Sequence, residues 1–333
     1  MTDITIRSYT SEDADAIVDL QVRYASAFPG VAVVPAEIYA DPGFAGGQNI
    51  LLAFDRQERL LAYAPLFPRP VEGDETDEPH QFWSALVYDP ALSDPTPVLD
   101  ALYARLLARA REIWKNLPLR HTCQRHACRQ HECKRPAQLA AELLPVQVPI
   151  LDYVRAKGWV HGRTAFQMAR DLSAPVPDLS TPAGIEVRQW EMREEAEQRD
   201  YLQAKNSAFP EAPWNLEGLQ HFLQQVLWPC GPVSASALVA GQVVGSVLIY
   251  WDPYANARTG RQSAYTEEIF CVPAWRGRGI ASACIATALR LLQERGMEEA
   301  RLEVRATNEN ALRIYQRLGY RVTASSLICS LDL

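Results

Sequence analysis

"CVPAWRGRGIASA", Cys271–Ala283, places two glycines and two arginines between an apolar run and a segment with helical periodicity. Upstream, "EEIFCVP" reads as a strand that stops at Pro273. Downstream, "IASACIATALRLLQERG" carries small and apolar residues at helical spacing and ends at Gly296. A glycine-rich passage from strand to helix lets backbone N–H groups converge at the helix N-terminus, where the macrodipole already favours an anion. Arg276 and Arg278 add positive charge there. The loop Arg276-Gly277-Arg278-Gly279-Ile280-Ala281 is therefore a candidate phosphate cradle.

The rest of the composition makes such a local site necessary. The chain of 333 residues has 33 Lys and Arg against 40 Asp and Glu, a net charge of −7, so no general basic surface is available for nucleic acid. With 48% hydrophobic and 22% charged residues it can bury a sizeable core, and its length allows two domains. The opening "MTDITIRSYTSEDADAIVDL" is acidic and alternating where a signal peptide would be basic and then apolar, and no apolar run approaches a membrane span. A cytoplasmic protein is expected, with no membrane partner. Seven cysteines, an odd number, point to reduced thiols; Cys230, Cys271, Cys284 and Cys329 sit in apolar contexts as small core residues.

The chain reads as if written twice. "ITIRSYTSEDADAIVDLQ" turns from strand to helix near the start, and "IEVRQWEMREEAEQRDYLQ" does the same from Ile185. Strand, polar turn and strand follow in both, as "ILLAFDRQERLLAYAPLF" and "SALVAGQVVGSVLIYW". A strand ending in proline comes next, "SALVYDP" and "EEIFCVP", and each half closes with a helix stopped by glycine before a strand, "DYVRAKGWV" and "IYQRLGYRV". Between the halves "SAPVPDLSTPAG" has linker composition, which puts the boundary near Pro177 to Thr181 and the domains at 1–176 and 182–333.

A dinucleotide fold also uses a glycine-rich turn, but the G-x-G-x-x-G pattern fails here. Ser282 takes the third glycine's place, Pro273 to Arg276 separate the loop from its strand, and too little chain follows for a doubly wound sheet. What fits is R-x-x-G-x-[GA], followed by "LEVRATNENALRIYQRLGY" with an N-x-x-A-x-x-x-Y spacing at Asn308, Ala311 and Tyr315. On a helix Ala311 and Tyr315 share a face, the small residue leaving room for a ligand beside the phenol. In these two segments the C-terminal half resembles the GNAT superfamily of acyl-CoA-dependent N-acetyltransferases, strongly over 185–333 and weakly over 4–172, in the tandem layout of the mycothiol synthases. The resemblance implies a mixed α+β chain of two tandem GNAT-like domains. Each would be a twisted, mostly antiparallel sheet flanked by helices, with a splayed parallel strand pair that admits the cofactor.

It also implies roles. The loop would hold the pyrophosphate of acetyl-CoA; the backbone of Ile269, Phe270, Cys271 and Val272 would pair with the pantetheine; Asn308 and Ala311 would border it; and Tyr315 would protonate the departing thiolate, a reasonable task for a phenol with an ordinary pKa of about 10. Asn308 is equally suited to capping its helix. For the base, the resemblance offers Glu303, matching alanine N-acetyltransferases of ribosomal proteins, Glu267, matching histone-type members, or water. On a regular strand Glu267, Ile269 and Cys271 share one face and Glu268 the other, with Phe270 and Val272. The acceptor would be a small-molecule amine or a peptide N-terminus; Trp214, Glu211 and Glu217 would suit a cation. The protein is expected to be a monomer or homodimer.

The first half departs from this pattern. "YDPALSDPTPVLDA" replaces the glycine loop with prolines, which remove donors, and with Asp94, which repels phosphate. Val154 stands where the second half has Tyr315, and Tyr153 faces about 100 degrees away. This half is expected to be degenerate and without cofactor. It also contains "HTCQRHACRQHECKR", whose C-x4-C-x4-C spacing lies outside that of structural zinc sites, so no metal is expected. The competing function is a non-catalytic acyl-CoA-binding sensor or scaffold of the same fold.

Overall fold

The computed structural model describes residues 4–71, 79–117, 135–179, 181, 183–210, 213–224 and 233–333. The cysteine-histidine pentads through residue 134 and Glu211 lie outside these. Along the chain run β1 (Thr5–Ser8), α1 (Ala14–Ala27), β2 (Ile50–Phe54), β3 (Leu60–Arg69), β4 (His80–Ser84), β5 (Val87–Tyr88), α2 (Thr96–Asn116), β6 (Ala137–Leu143), α3 (Val148–Ala156) and β7 (Val160–Asp171). They are followed by β8 (Glu186–Trp190), α4 (Glu195–Ala208), α5 (Leu216–Leu223), β9 (Val233–Val239), β10 (Gln242–Tyr250), α6 (Pro253–Thr259), β11 (Ser263–Cys271), α7 (Ile280–Glu294), β12 (Glu299–Arg305), α8 (Glu309–Arg317) and β13 (Arg321–Asp332). Among the described residues no helix is long and apolar enough to cross a membrane.

The chain forms two compact units, residues 1–164 with 325–333, and residues 165–324. In the first, β1, β2, β3, β4 and β6 lie side by side and the end of β13 completes the sheet against β6. The neighbours are antiparallel except for the parallel pair β4 and β6. Ile17 and Leu20 of α1, Leu102 and Leu106 of α2, and Ile150 and Val154 of α3 pack with Leu52, Leu66 and Phe82 from the strands in one core.

The second unit repeats the order. Its sheet runs β8, β9, β10, β11, β12 and then the end of β7, again antiparallel except for the parallel pair β11 and β12. One face is covered by α7 and α8, whose Cys284, Leu289, Leu292, Tyr315 and Leu318 pack with Ala264, Ala300, Leu302 and Val304. The opposite face is covered by α4 and α5, whose Tyr201, Leu202, Leu219 and Leu223 pack with Val243, Leu248 and Phe270. Gly245 lets α7 lie close on β10: a Cβ there would meet Ile280 Cγ2 at 2.8 Å.

The units therefore divide elsewhere than at the proline-rich stretch. Residues 165–171 pair with β12 along its whole length, from Ala165 opposite Arg305 to Asp171 opposite Glu299. The segment of linker composition is in consequence an internal connection of the second unit, from β7 to β8. Composition marks a turn-rich crossing; which sheet a closing strand joins is decided by long-range pairing that composition does not record.

A chain that begins at Ile185 would lack the whole β7 ladder and leave β12 with a bare edge. Such a fragment is expected to show no cooperative thermal transition by circular dichroism, and to aggregate. A soluble fragment that melts cooperatively would contradict the strand assignment.

Candidate functional site

The parallel ladder between β11 and β12 pairs Ser263, Ala264 and Tyr265 with Glu299, Ala300 and Arg301, and ends there. β11 runs on to Cys271 and β12 to Arg305, so beyond Tyr265 the two strands part. On its other side β11 stays bonded to β10 as far as Cys271 opposite Gly245. The far half of β11 thus has one satisfied edge and one open edge, a backbone surface ready for an extended ligand. Ile269, Phe270 and Cys271 lie on this stretch. Val272 is already engaged, its N–H donating to the Val244 carbonyl at 2.9 Å.

The strand is not regular at the parting. Glu268 has φ +47°, the left-handed region that bulky residues avoid, and the pairing with β10 slips between Ser246 and Leu248. This bulge changes which face each side chain takes. Tyr250 donates a hydrogen bond to the Glu267 carboxylate, and its ring packs on Phe222 of the α4/α5 side. Ile269 and Cys271 instead pack against the α7/α8 core. Glu267 is therefore not on the face of Ile269 and Cys271, as strict alternation had it. Glu268 reaches the α4 side too, its Oε2 lying 3.4 Å from the buried Lys205 Nζ. Lys205 also lies 4.3 Å from the centroid of Trp214. Burial first, and then the Glu267 carboxylate, raises the Tyr250 phenol well above its ordinary value.

Glu303 lies on the β12 side of the parting, as Glu267 lies on the β11 side. Tyr265 and Arg301 are the last paired residues, and each glutamate follows two positions later on the same face. Glu303 is exposed, with Leu302 and Val304 buried on the other side of β12. Two carboxylates thus border the parting from its two strands.

The glycine loop joins β11 to α7. Gly277 and Gly279 have φ +75° and +81°, and nothing lies within 4 Å of a Cβ at either, so conformation and not crowding calls for glycine. Gly279 is the N-cap of α7, with no side-chain cap. The first intrahelical bond is from Ala283 N–H to the Gly279 carbonyl, which leaves the amides of Ile280, Ala281 and Ser282 pointing out of the helix. Arg276 has a tying role that its position in the sequence did not reveal. Its Nε donates to the Cys271 carbonyl at 3.1 Å and its second terminal nitrogen to the Ala208 carbonyl at the end of α4, also at 3.1 Å. Arg278 lies over the Trp275 ring at 4.7 Å.

An open cleft of about 1200 Å³ begins at this loop; Cys271, Gly277, Gly279, Ile280 and Ala281 line one end, and Asn310, Ile314 and Arg317 of α8 line a wall. Burial pushes the Cys271 thiol up, so it is a neutral lining group. Asn308 caps α8 through its Oδ1, which accepts from Ala311 N–H at 3.2 Å. Ala311 is half-buried beside the core. Tyr315 is 7% exposed, and burial pushes its phenol up to about 12. Among the described residues no hydrogen bond occupies its hydroxyl, which keeps its proton available for donation.

The corresponding parts of the first unit are built differently. Asp94 accepts from Thr96 N–H at 2.9 Å and so occupies the start of α2 itself. Beside the parallel pair β4 and β6, Leu86, Leu106, Val154 and Trp159 leave a cavity of about 10 Å³. Among the described residues no cluster of His, Cys, Asp and Glu could hold a metal.

Residues 189–320 match the model of the acetyltransferase (GNAT) family. That match lies wholly within the second unit and covers about two fifths of the chain. Curated relatives that the chain is similar to include the mycothiol acetyltransferases of Acidothermus cellulolyticus, 29% identical over 50% of this chain and 54% of that protein, and of Segniliparus rotundus, 29% identical over 52% and 66%. N-alpha-acetyltransferase MAK3 of Arabidopsis thaliana is 30% identical over 32% of this chain and 53% of its own. This chain spans about half the length of most of the curated relatives it matches. Over 99% of the chain the fold is similar to a GCN5-related N-acetyltransferase from Sphaerobacter thermophilus, with TM-score 0.75, 19% identity and 95% of that chain covered. A tandem GNAT protein from the clavulanic acid biosynthesis pathway gives TM-score 0.71 at 13% identity, with 99% and 98% covered. Both are likenesses of fold, and they agree with the tandem, mostly antiparallel architecture.

The Tyr315 phenol has a pH signature. An unfolded tyrosine ionises near 10.0 and the folded one near about 12, so its contribution is intact below pH 10 and is lost as pH rises toward 12. Tyr315→Phe is expected to leave the melting temperature at pH 8 nearly unchanged and to make its decline above pH 10 shallower. An unchanged alkaline slope would mean that the hydroxyl is not withheld from water.

Proposed function

We propose that the second unit is an N-acetyltransferase that moves an acetyl group from acetyl-CoA to a primary amine. One observation carries this reading: the open edge of β11 leads straight into the uncapped N-terminus of α7. An extended amide-bearing chain ending in a pyrophosphate matches that sequence of surfaces, with amides paired along β11 and phosphates on the α7 amides.

The chemistry follows from what borders the parting. An amine must be neutral to attack, and its ordinary pKa of about 10.4 means that a proton has to leave first. Glu267 and Glu303 face that position from both strands, so one can hold the incoming ammonium while the other, directly or through water, takes its proton. The nitrogen then bonds to the thioester carbon, the carbonyl oxygen gains negative charge near the β11 amides, and the carbon–sulfur bond breaks as the oxyanion collapses and the now cationic nitrogen gives its second proton to water. Tyr315 supplies the proton to the leaving thiolate. Its raised pKa keeps it protonated at neutral pH, and the proton returns from solvent after product leaves.

The aromatic and acidic surroundings, with Trp214, Phe222, Tyr250 and the carboxylate pair, suit a cationic acceptor such as a small amine or a peptide N-terminus. Among the curated relatives, one group is named for mycothiol and another for N-alpha acetylation, and this reading draws on both. The first unit supplies no second cofactor site in this reading, because the Asp94 carboxylate stands at the start of α2 and engages the Thr96 amide there.

The test has two arms. Acetyl-CoA is expected to raise the melting temperature, and NADH and NADPH to leave it unchanged. With an acceptor found by screening amines for release of free coenzyme A, Tyr315→Phe should lower kcat by about 10²–10⁴-fold and leave acetyl-CoA affinity nearly as it was. Stabilisation by acetyl-CoA with no turnover on any amine would favour a binding protein. Full turnover in Tyr315→Phe would remove the tyrosine from the mechanism.

A further inference from the structure

We infer that residues 172–179, the first part of the connection from β7 to β8, form a fixed strap that closes the far end of the cleft. Together with Arg313 and Arg317 this strap takes the 3′-phosphorylated adenosine end of the acyl-CoA. The inference rests on the acyl-CoA reading above and assigns a binding role to a segment whose composition is that of a linker.

The cleft is longer than a pyrophosphate needs. One end is the glycine loop at the start of α7, and the lining continues to Pro177, Leu179, Arg313 and Arg317. The terminal nitrogen of Arg290, ten residues into α7 from Ile280, donates to the Pro177 carbonyl at 3.2 Å. Ten helical residues span about 15 Å, so the strap stands well beyond the phosphate end, where the nucleoside attached to a pyrophosphate would extend.

The strap is held in place. Gln293 of α7 donates to the Leu172 carbonyl at 2.6 Å. Arg170 of β7, only 4% exposed, donates to the Ala174 and Pro175 carbonyls at 3.2 and 2.8 Å, and to the Leu318 carbonyl at the end of α8. Burial lowers the Arg170 pKa, yet a guanidinium keeps its charge, and with a further Gln293 bond to the Ala174 carbonyl at 3.3 Å, four carbonyl-directed bonds from these two side chains pin the strap. A side chain at Gly319 would meet the Arg170 guanidinium, so the glycine after α8 makes room for this anchor. Pro175 and Pro177 restrict the backbone further. Pro177 and Leu179 thereby present a preformed apolar wall to the cleft, suited to one face of a purine.

The opposite wall supplies charge. Asn310, Arg313, Ile314 and Arg317 follow one face of α8 at helical spacing and all line the cleft. Arg313 is paired with Glu309 at 3.0 Å, whereas Arg317 has no hydrogen bond or ion pair among the described residues. On a chain of net charge −7, an exposed arginine left without a carboxylate beside a ligand cleft is placed for an outside anion. A phosphate monoester, close to a dianion at neutral pH, is the group on coenzyme A that its 3′-dephospho form lacks.

Calorimetric titration of the full chain with coenzyme A and with 3′-dephospho-coenzyme A tests this. The unsubstituted protein is expected to bind coenzyme A about tenfold or more tightly than the dephospho compound. The double variant Arg313→Gln, Arg317→Gln should bind the two alike, with the dephospho affinity unchanged. Both arginines are exposed, so the fold is not at stake. Leu179→Asp should weaken both nucleotides together. A preference for coenzyme A that survives the double variant, or indifference of both ligands to Leu179→Asp, would overturn the strap assignment. Failure of the unsubstituted protein to bind either compound would instead overturn the acyl-CoA reading, and the strap assignment with it.

Discussion

The whole site depends on two parallel strands failing to stay paired. β11 and β12 share only three residue pairs before they separate, and the open edge of β11 then exposes backbone groups that a sheet interior would satisfy. Such an edge is a liability in a strand buried on both sides unless a partner replaces the missing strand. The bulge at Glu268 goes with this parting. Its left-handed backbone costs on the order of 1–3 kcal/mol, strain that the surrounding core must offset, and in return it turns Glu267 and Glu268 toward α4. Packing holds the two faces independently: α7 and α8 form one core and α4 and α5 the other, so the gap between the strands does not collapse.

Charge is handled locally throughout. On this acidic chain free amide dipoles are concentrated at the start of α7 and arginines along α8, without a basic surface, which is how the proposed polyanionic ligand would be met. Arg276 shows how the residues divide the work. A cation at this position reads as a phosphate partner, but its guanidinium spans two carbonyls, one on β11 and one at the end of α4. It fixes the loop, and the exposed amides of α7 are what the loop offers to an anion.

Much of the fold and the loop was legible in the residues. The glycine pair, the N-x-x-A-x-x-x-Y spacing and the doubled order of strand and helix signals all depend on local periodicity and turn chemistry, which short stretches record. The expected positions of Gly279 at the start of α7 and Asn308 at the start of α8, and the shared face of Ala311 and Tyr315, follow from the same local rules. What the residues did not show are consequences of long-range pairing. Alternation put Glu267 with Ile269 and Cys271, and only the slip against β10 reverses it. Proline and serine between the halves suggested a boundary, while the β7 ladder with β12 puts that stretch inside one unit. The buried Lys205 beside Glu268 and Trp214 had no sequence signal at all, since a lone lysine on a polar helix normally reads as solvated.

Hydrogen exchange on the full chain, with and without acetyl-CoA, bears most directly on the parted strands as the ligand site. Without ligand, the amides of β11 beyond Tyr265 that point away from β10, and those of Ile280 to Ser282, should exchange quickly compared with the rest of the second unit. Acetyl-CoA should slow both groups and leave the start of α2 in the first unit unchanged. Protection that appears at the start of α2, or an acetyl-CoA complex in which the far half of β11 exchanges as before, would contradict the account.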